Sequence, residues 1–195
     1  MSSSPNDSER IKRCPVFWFT GLSGAGKTTI AVSVSIELTA RRHIVIILDG
    51  DEVRRRRAEP LGYSRPDILT NNAEMAALCQ AERNNADVIF VPIISPYAEG
   101  RANARKLIGP GFFEIYVSAD KESVTERDVK GMYAKAAKGE IPAMIGFAPE
   151  APYEPPLSPD LILDSTAESP AQSAQKLTRF VLANLKQIKH RIRRN

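Results

Sequence analysis

Residues 21–28 read Gly-Leu-Ser-Gly-Ala-Gly-Lys-Thr, a full GxxxxGK[ST] string. No other stretch constrains the chain as much. Glycines at this spacing let successive backbone N–H groups turn inward around phosphate oxygens, and the helix that follows adds the positive end of its dipole. In that geometry Lys27 reaches the β- and γ-phosphates of a nucleoside triphosphate, and the Thr28 hydroxyl ligates Mg²⁺. The flanks agree with a phosphate-binding loop (P-loop). Residues 16–19 (VFWF) are an apolar run meeting a turn at Thr20-Gly21, as a buried strand would. Residues 27–42 put Ile30, Val34 and Leu38 on one face of a helix. The expected ligands of ATP are Gly21, Ser23, Gly24, Ala25, Gly26, Lys27, Thr28 and Thr29.

Four further apolar runs continue the pattern: residues 44–48, 88–94, 112–117 and 161–163. Near-continuous apolar strands suit a parallel sheet covered on both faces, with helices as crossovers. The expected fold is therefore α/β, a three-layer P-loop NTPase architecture with five parallel strands. Helices are expected over about 72–84 and 171–191 besides the one after the P-loop. The predicted organisation is a flexible tail over 1–13 and one kinase domain over 14–195. No apolar run approaches the ~20 residues that span a bilayer, and residues 1–9 are polar, so no membrane role and a cytoplasmic setting are expected. Cys14 and Cys79 form no CxxC pair, which argues against a disulfide or zinc framework.

The net charge of +4 raises the question of a nucleic-acid polymer, but its distribution answers against one. Residues 169–195 hold seven of the 27 basic residues and no acid. The rest of the chain carries 20 bases against 23 acids, a net of −3. The basicity belongs to a terminal helix, whose C-terminal end favours cations through its dipole.

A P-loop serves GTPases, ATPase motors, small-molecule kinases and degenerate binding modules alike. An NKxD-type guanine reader is missing, which argues against a GTPase, and the chain is short for a motor subunit. A kinase needs acids at the end of a neighbouring strand and a mobile basic lid over the transferring group. Asp49 and Asp51 directly follow the 44–48 strand, at the same sheet edge as the P-loop. Read as an extended segment, their i, i+2 spacing points both carboxylates the same way. One would serve the metal, and the other would take a proton from an acceptor hydroxyl. Residues 127–133 (RDVKGMY), with Lys135 and Lys138, supply the expected lid over about 127–157.

In this order the pieces resemble adenylylsulfate kinase, which phosphorylates the 3′-hydroxyl of adenosine 5′-phosphosulfate (APS) with Mg-ATP. The matching strings are GLSGAGKTT (21–29), LDGDEVR (48–54), LGYS (61–64), ISPY (94–97), RDVKGMY (127–133), KGEI (138–141) and APYEPP (151–156). The resemblance implies that Asp51 is the base or acceptor-orienting acid and Asp49 a metal-site or positioning acid. It also implies that Arg54 and Asn71 contact the acceptor nucleotide, that Ile94 and Ser95 line its pocket, that Lys130 belongs to the lid, and that the protein is a homodimer.

The departures concern the acceptor. Where the family typically reads DRxENIRR, this chain reads Asp67-Ile68-Leu69-Thr70-Asn71-Asn72-Ala73-Glu74. Two family phenylalanines that sandwich the acceptor adenine are Tyr63 and Met144 here, so one stacking ring remains and one becomes an apolar contact. Arg55, Arg56 and Arg57 could return positive charge to the same pocket. The expected activity is therefore transfer of the γ-phosphoryl group of ATP to APS. The alternatives are a kinase for another nucleotide hydroxyl, such as a cytidine nucleotide of surface-sugar modification, or a non-catalytic nucleotide-binding module.

Overall fold

The computed structural model describes residues 14–50, 53, 61–128, 131 and 144–192, the last four as backbone alone. Along the chain run β1 (Val16–Thr20), α1 (Lys27–Ala40), β2 (Val45–Ile47), α2 (Arg65–Glu82) and β3 (Val88–Pro92). Then follow α3 (Ala98–Ile108), β4 (Phe112–Ser118), α4 (Lys121–Arg127), β5 (Leu161–Asp164) and α5 (Pro170–Ile192). The five strands form one sheet in the order β2-β3-β1-β4-β5, and every pairing is parallel.

Strand periodicity divides the core into two. Phe17 and Phe19 of β1 point to one face, where Phe90, Ile115, Val117 and Leu163 meet Ile30, Val34 and Leu38 of α1 and Leu177 and Val181 of α5. Val16 and Trp18 point to the other, against Met75 and Cys79 of α2 and Ala104 and Ile108 of α3. The result is the three-layer α/β arrangement expected for a P-loop protein. β1 lies centrally, with the chain crossing from β3 over it to β4, so a crevice opens at the carboxyl ends of β1 and β3.

Three helices depart from expectation: α2 in where it starts, and α3 and the short α4 in being additional to those expected. α2 begins at Arg65 rather than near 72, because Ser64 caps it. The Ser64 hydroxyl accepts from the Asp67 backbone N–H at 3.3 Å, and the Asp67 carboxylate accepts from the Ser64 N–H at 3.2 Å. Pro66 in the first turn costs no helical hydrogen bond. Asp67, one of the residues retained in the family-like string, thus serves a helix end. α3 was not anticipated, since Ala98–Ile108 has few apolar residues to mark a 3.6-residue period. Gly109, at φ +69°, sits at its C-terminal end.

Residues 1–13, expected as a tail, and residues 129–130 and 132–143 of the lid lie outside the described residues. Among the described residues no helix is long and apolar enough to cross a membrane. Cys14 and Cys79 are both free and buried. Burial pushes each thiol up to about 12, so neither is a thiolate nucleophile at neutral pH.

Candidate active site

The loop between β1 and α1 takes its shape from three left-handed glycines, Gly21 (φ +142°), Gly24 (φ +76°) and Gly26 (φ +95°). Gly21 is the most constrained, because a Cβ there would overlap the Val117 carbonyl oxygen of β4. Gly21→Ala is therefore expected to cost about 2 kcal/mol, lowering the melting temperature by about 4–8 °C in calorimetry.

Lys27 is 7% exposed, and its ammonium donates to the Gly21 carbonyl at 2.9 Å and the Leu22 carbonyl at 2.7 Å. It folds back over the loop, tying the mouth of the cradle together. Ser23, Gly24, Gly26, Lys27, Thr28 and Thr29 line a cleft of about 270 Å³. Gly21 and Ala25 are buried beneath it and shape the loop from inside.

The acid side of the cleft comes from the end of β2. Asp49 lines the cleft, and the Thr28 hydroxyl donates to its Oδ2 at 3.5 Å. A hydroxyl and a carboxylate facing one space are hard oxygen donors of the kind Mg²⁺ takes, usually with substrate phosphates and waters completing its shell. No larger cluster of His, Cys, Asp or Glu suited to a metal occurs among the described residues. The segment after Asp49 is not extended as expected. The Val53 N–H bonds the Asp49 carbonyl at 3.0 Å, a helical closure, and Gly50 is helical as well. At Gly50 the chain thus departs from the extended conformation expected over residues 49–51. Gly50 fits because the chain runs close to β3: an added Cβ would sit 2.7 Å from Ile93 Cγ2. Asp51 and Arg54 themselves lie outside the described residues, as does Lys130.

The opposite wall is built by the residues after β3 and by the start of α2. Ile94, Ser95, Tyr63 and Asn71 all line the cleft. Tyr63 is exposed at the mouth of the cleft. Asn71 is 6% exposed, and its Oδ1 has no hydrogen-bond partner among the described residues. A buried amide oxygen without a partner is costly, so a donor from a bound molecule is the natural complement.

Ser95 adopts φ +42°, and its Oγ accepts from Trp18 Nε1 at 3.1 Å and from Asn72 Nδ2 at 2.9 Å. With that oxygen engaged and the residue 2% exposed, Ser95 serves as wall rather than nucleophile.

Met144 is not in the cleft. It is buried in the core with Leu22, and its neighbour Ile145 lines the cleft instead. The physical reason lies in the turn that follows. Gly146, at φ +86°, passes so close to Leu22 that an added Cβ would overlap it, and this draws Met144 under the P-loop. Ile68, which stands where the family has an arginine, is 4% exposed and also lines the cleft. With Ile93 and Ile145 it makes this part of the wall apolar.

Several residues that build the site carried no sequence signal of their own. Thr20, the last residue of β1, donates to the Ile94 carbonyl at 2.8 Å and accepts from the Tyr153 hydroxyl at 2.9 Å. One side chain thus links the P-loop strand, the wall at Ile94 and the loop carrying Tyr153.

The comparisons with known proteins agree with this geometry. The family model described as adenylylsulphate kinase matches residues 13–164. The adenylyl-sulfate kinase of Halothermothrix orenii is 42% identical over 164 residues, covering 84% of this chain and 87% of that protein. The structure of the Mycobacterium tuberculosis APS kinase in complex with AMPPNP and APS superposes with a TM-score of 0.79 at 35% identity, over 88% of this chain and 98% of that one. A hexameric APS kinase from Thiobacillus denitrificans gives 0.63 at 27% identity, over 90% of this chain and 30% of that one.

Proposed function

This chain belongs to the adenylylsulfate kinase family, and from that premise we propose that it transfers the γ-phosphoryl group of ATP to the 3′-hydroxyl of APS. The observation that carries the reading is one cleft lined by both the phosphate loop and the residues 94–95 wall. Backbone N–H groups of the P-loop and the Lys27 ammonium would hold the triphosphate, with the phosphates taking over lysine contacts now made to Gly21 and Leu22. Thr28 and Asp49 would hold Mg²⁺, which supplies charge neutralisation on the transferring group. Asp51 would take the proton of the acceptor hydroxyl, and Arg54 and the lid's Lys130 would contact anionic groups. Tyr63, Asn71, Ile94 and Ser95 would frame the acceptor nucleotide. The reading extends to one kinase domain from residue 14 onward with its lid over about 127–157, acting as a homodimer in the cytoplasm.

A second reading, a kinase for a different nucleotide hydroxyl, is favoured by one observation: the apolar Ile68 in the cleft wall. Loss of a single charge-assisted hydrogen bond is worth about 1.5–3 kcal/mol, or roughly 10- to 150-fold in affinity. An ATP-consumption assay over a panel of nucleotide acceptors separates the two. Turnover is expected with APS, and product formed solely from a non-adenine acceptor would overturn the first reading in favour of the second.

A further inference from the structure

Arg101 lies on α3, 4% exposed, with no place in the reaction just described. Its guanidinium joins three separate parts of the chain. Nε pairs with Glu114 Oε1 of β4 at 2.6 Å. One terminal nitrogen donates to the carbonyls of Ser95 at 2.9 Å and Pro96 at 3.1 Å, and the other to the Glu154 carbonyl at 2.8 Å.

From this arrangement we infer that Arg101 is a positioning residue for the acceptor: anchored to the sheet through Glu114, it holds the cleft wall at Ser95 and Pro96 against the loop returning from the lid. The inference rests on the reading of that wall as the acceptor side of the cleft.

Three features support the assignment. Ser95 sits at φ +42°, a conformation that non-glycine residues keep only when their surroundings over-determine it. Its carbonyl is held by Arg101, while its hydroxyl oxygen is held by Trp18 and Asn72. Second, the loop from the lid meets the wall at the same place. The Glu154 N–H donates to the Pro96 carbonyl at 2.9 Å, and Glu154 Oε2 accepts from the Ala98 N–H at 2.8 Å. Third, the planar five-donor fork of arginine is what this job demands, because a lysine ammonium presents one point of charge and cannot span carbonyls on two loops.

Arg105 provides an internal comparison. It also approaches Glu114, at 3.7 Å, and pairs with Asp160 at 2.7 Å. Among the described residues its partners are these carboxylates and the Phe112 ring, not the wall carbonyls.

The test compares Arg101→Lys with Arg105→Lys in the full chain. Steady-state constants are measured for APS and ATP, and the indole N–H resonance of Trp18 is recorded by nitrogen-15 NMR. Trp18 is the sole tryptophan and bonds Ser95, so its resonance reports the wall directly. Arg101→Lys is expected to raise the APS KM at least tenfold and to shift the indole resonance, with the ATP KM within twofold. Arg105→Lys is expected to leave all three unchanged. A folded Arg101→Lys with an unmoved indole resonance would overturn the inference, and so would an Arg105→Lys that reproduces its effects.

If Arg101→Lys does not fold, the double variant Arg101→Gln with Glu114→Gln leaves no buried charge unpaired and is read by the same criteria. If the wild type does not turn over APS, the proposed acceptor is wrong. The positioning role is then decided by the indole resonance alone, in the same two arginine variants.

Discussion

Lys27→Ala is expected to lower phosphoryl transfer by about a thousandfold, the upper range for removing a charge-stabilising donor from a phosphoryl or oxyanion site. Two losses combine. The ammonium that would offset charge on the β- and γ-phosphates disappears, and so do its bonds to the Gly21 and Leu22 carbonyls. A thousandfold fall in kcat corresponds to about 4 kcal/mol of transition-state stabilisation. Because the loop also loses its tie, the affinity for a non-hydrolysable ATP analogue should fall in titration calorimetry along with turnover. Lys27→Arg keeps the charge but brings a longer, planar head into a space where Lys27 is 7% exposed, so it should recover little activity. Turnover of Lys27→Ala within tenfold of the wild type would remove Lys27 from the mechanism.

Much of this site was legible before any fold was known, for a physical reason. Phosphate binding by a P-loop depends on backbone conformation and on one lysine and one hydroxyl at fixed offsets, so local sequence specifies it nearly completely. The strands were equally open to reading, because central parallel strands such as β1 and β3 are apolar on both faces and leave unbroken runs, as at residues 16–19 and 88–94. What could not be read was set by contacts between distant segments. Whether Met144 faces the cleft or the core depends on Gly146 passing over Leu22, more than a hundred residues away in the chain. Arg101 bonds carbonyl groups, which every residue possesses, so nothing in their side-chain identity announces the partnership. α3 escaped notice because its buried positions include Gly100, Arg101 and Ala104, which do not register as an apolar stripe. The helical turn after Asp49 escaped for the opposite reason: an Asp-Gly-Asp string following a strand reads as turn or extended chain, while the actual conformation is set by the close approach of Gly50 to Ile93.

The two acids after β2 should be separable by their response to metal. Asp49→Asn is expected to reduce turnover about a hundredfold at low magnesium and to regain a large part of it as magnesium is raised. The reason is that Asp49 faces Thr28 across 3.5 Å, and loss of its charge weakens a site that phosphates and waters still partly provide. Asp51→Asn is expected to cost at least as much, roughly a hundred- to ten-thousandfold, the span of general base catalysis. No magnesium concentration should restore it, because an amide cannot take the acceptor's proton. Binding of ATP should survive in both variants, since the cradle of backbone N–H groups and Lys27 is untouched. The comparison is needed because Gly50 is helical, so strand alternation gives no ground for the two roles, which have to be separated by chemistry. Magnesium titrations of kcat for the two variants decide the matter. Rescue of Asp51→Asn by metal, or its absence for Asp49→Asn, would exchange or erase the roles assigned to them.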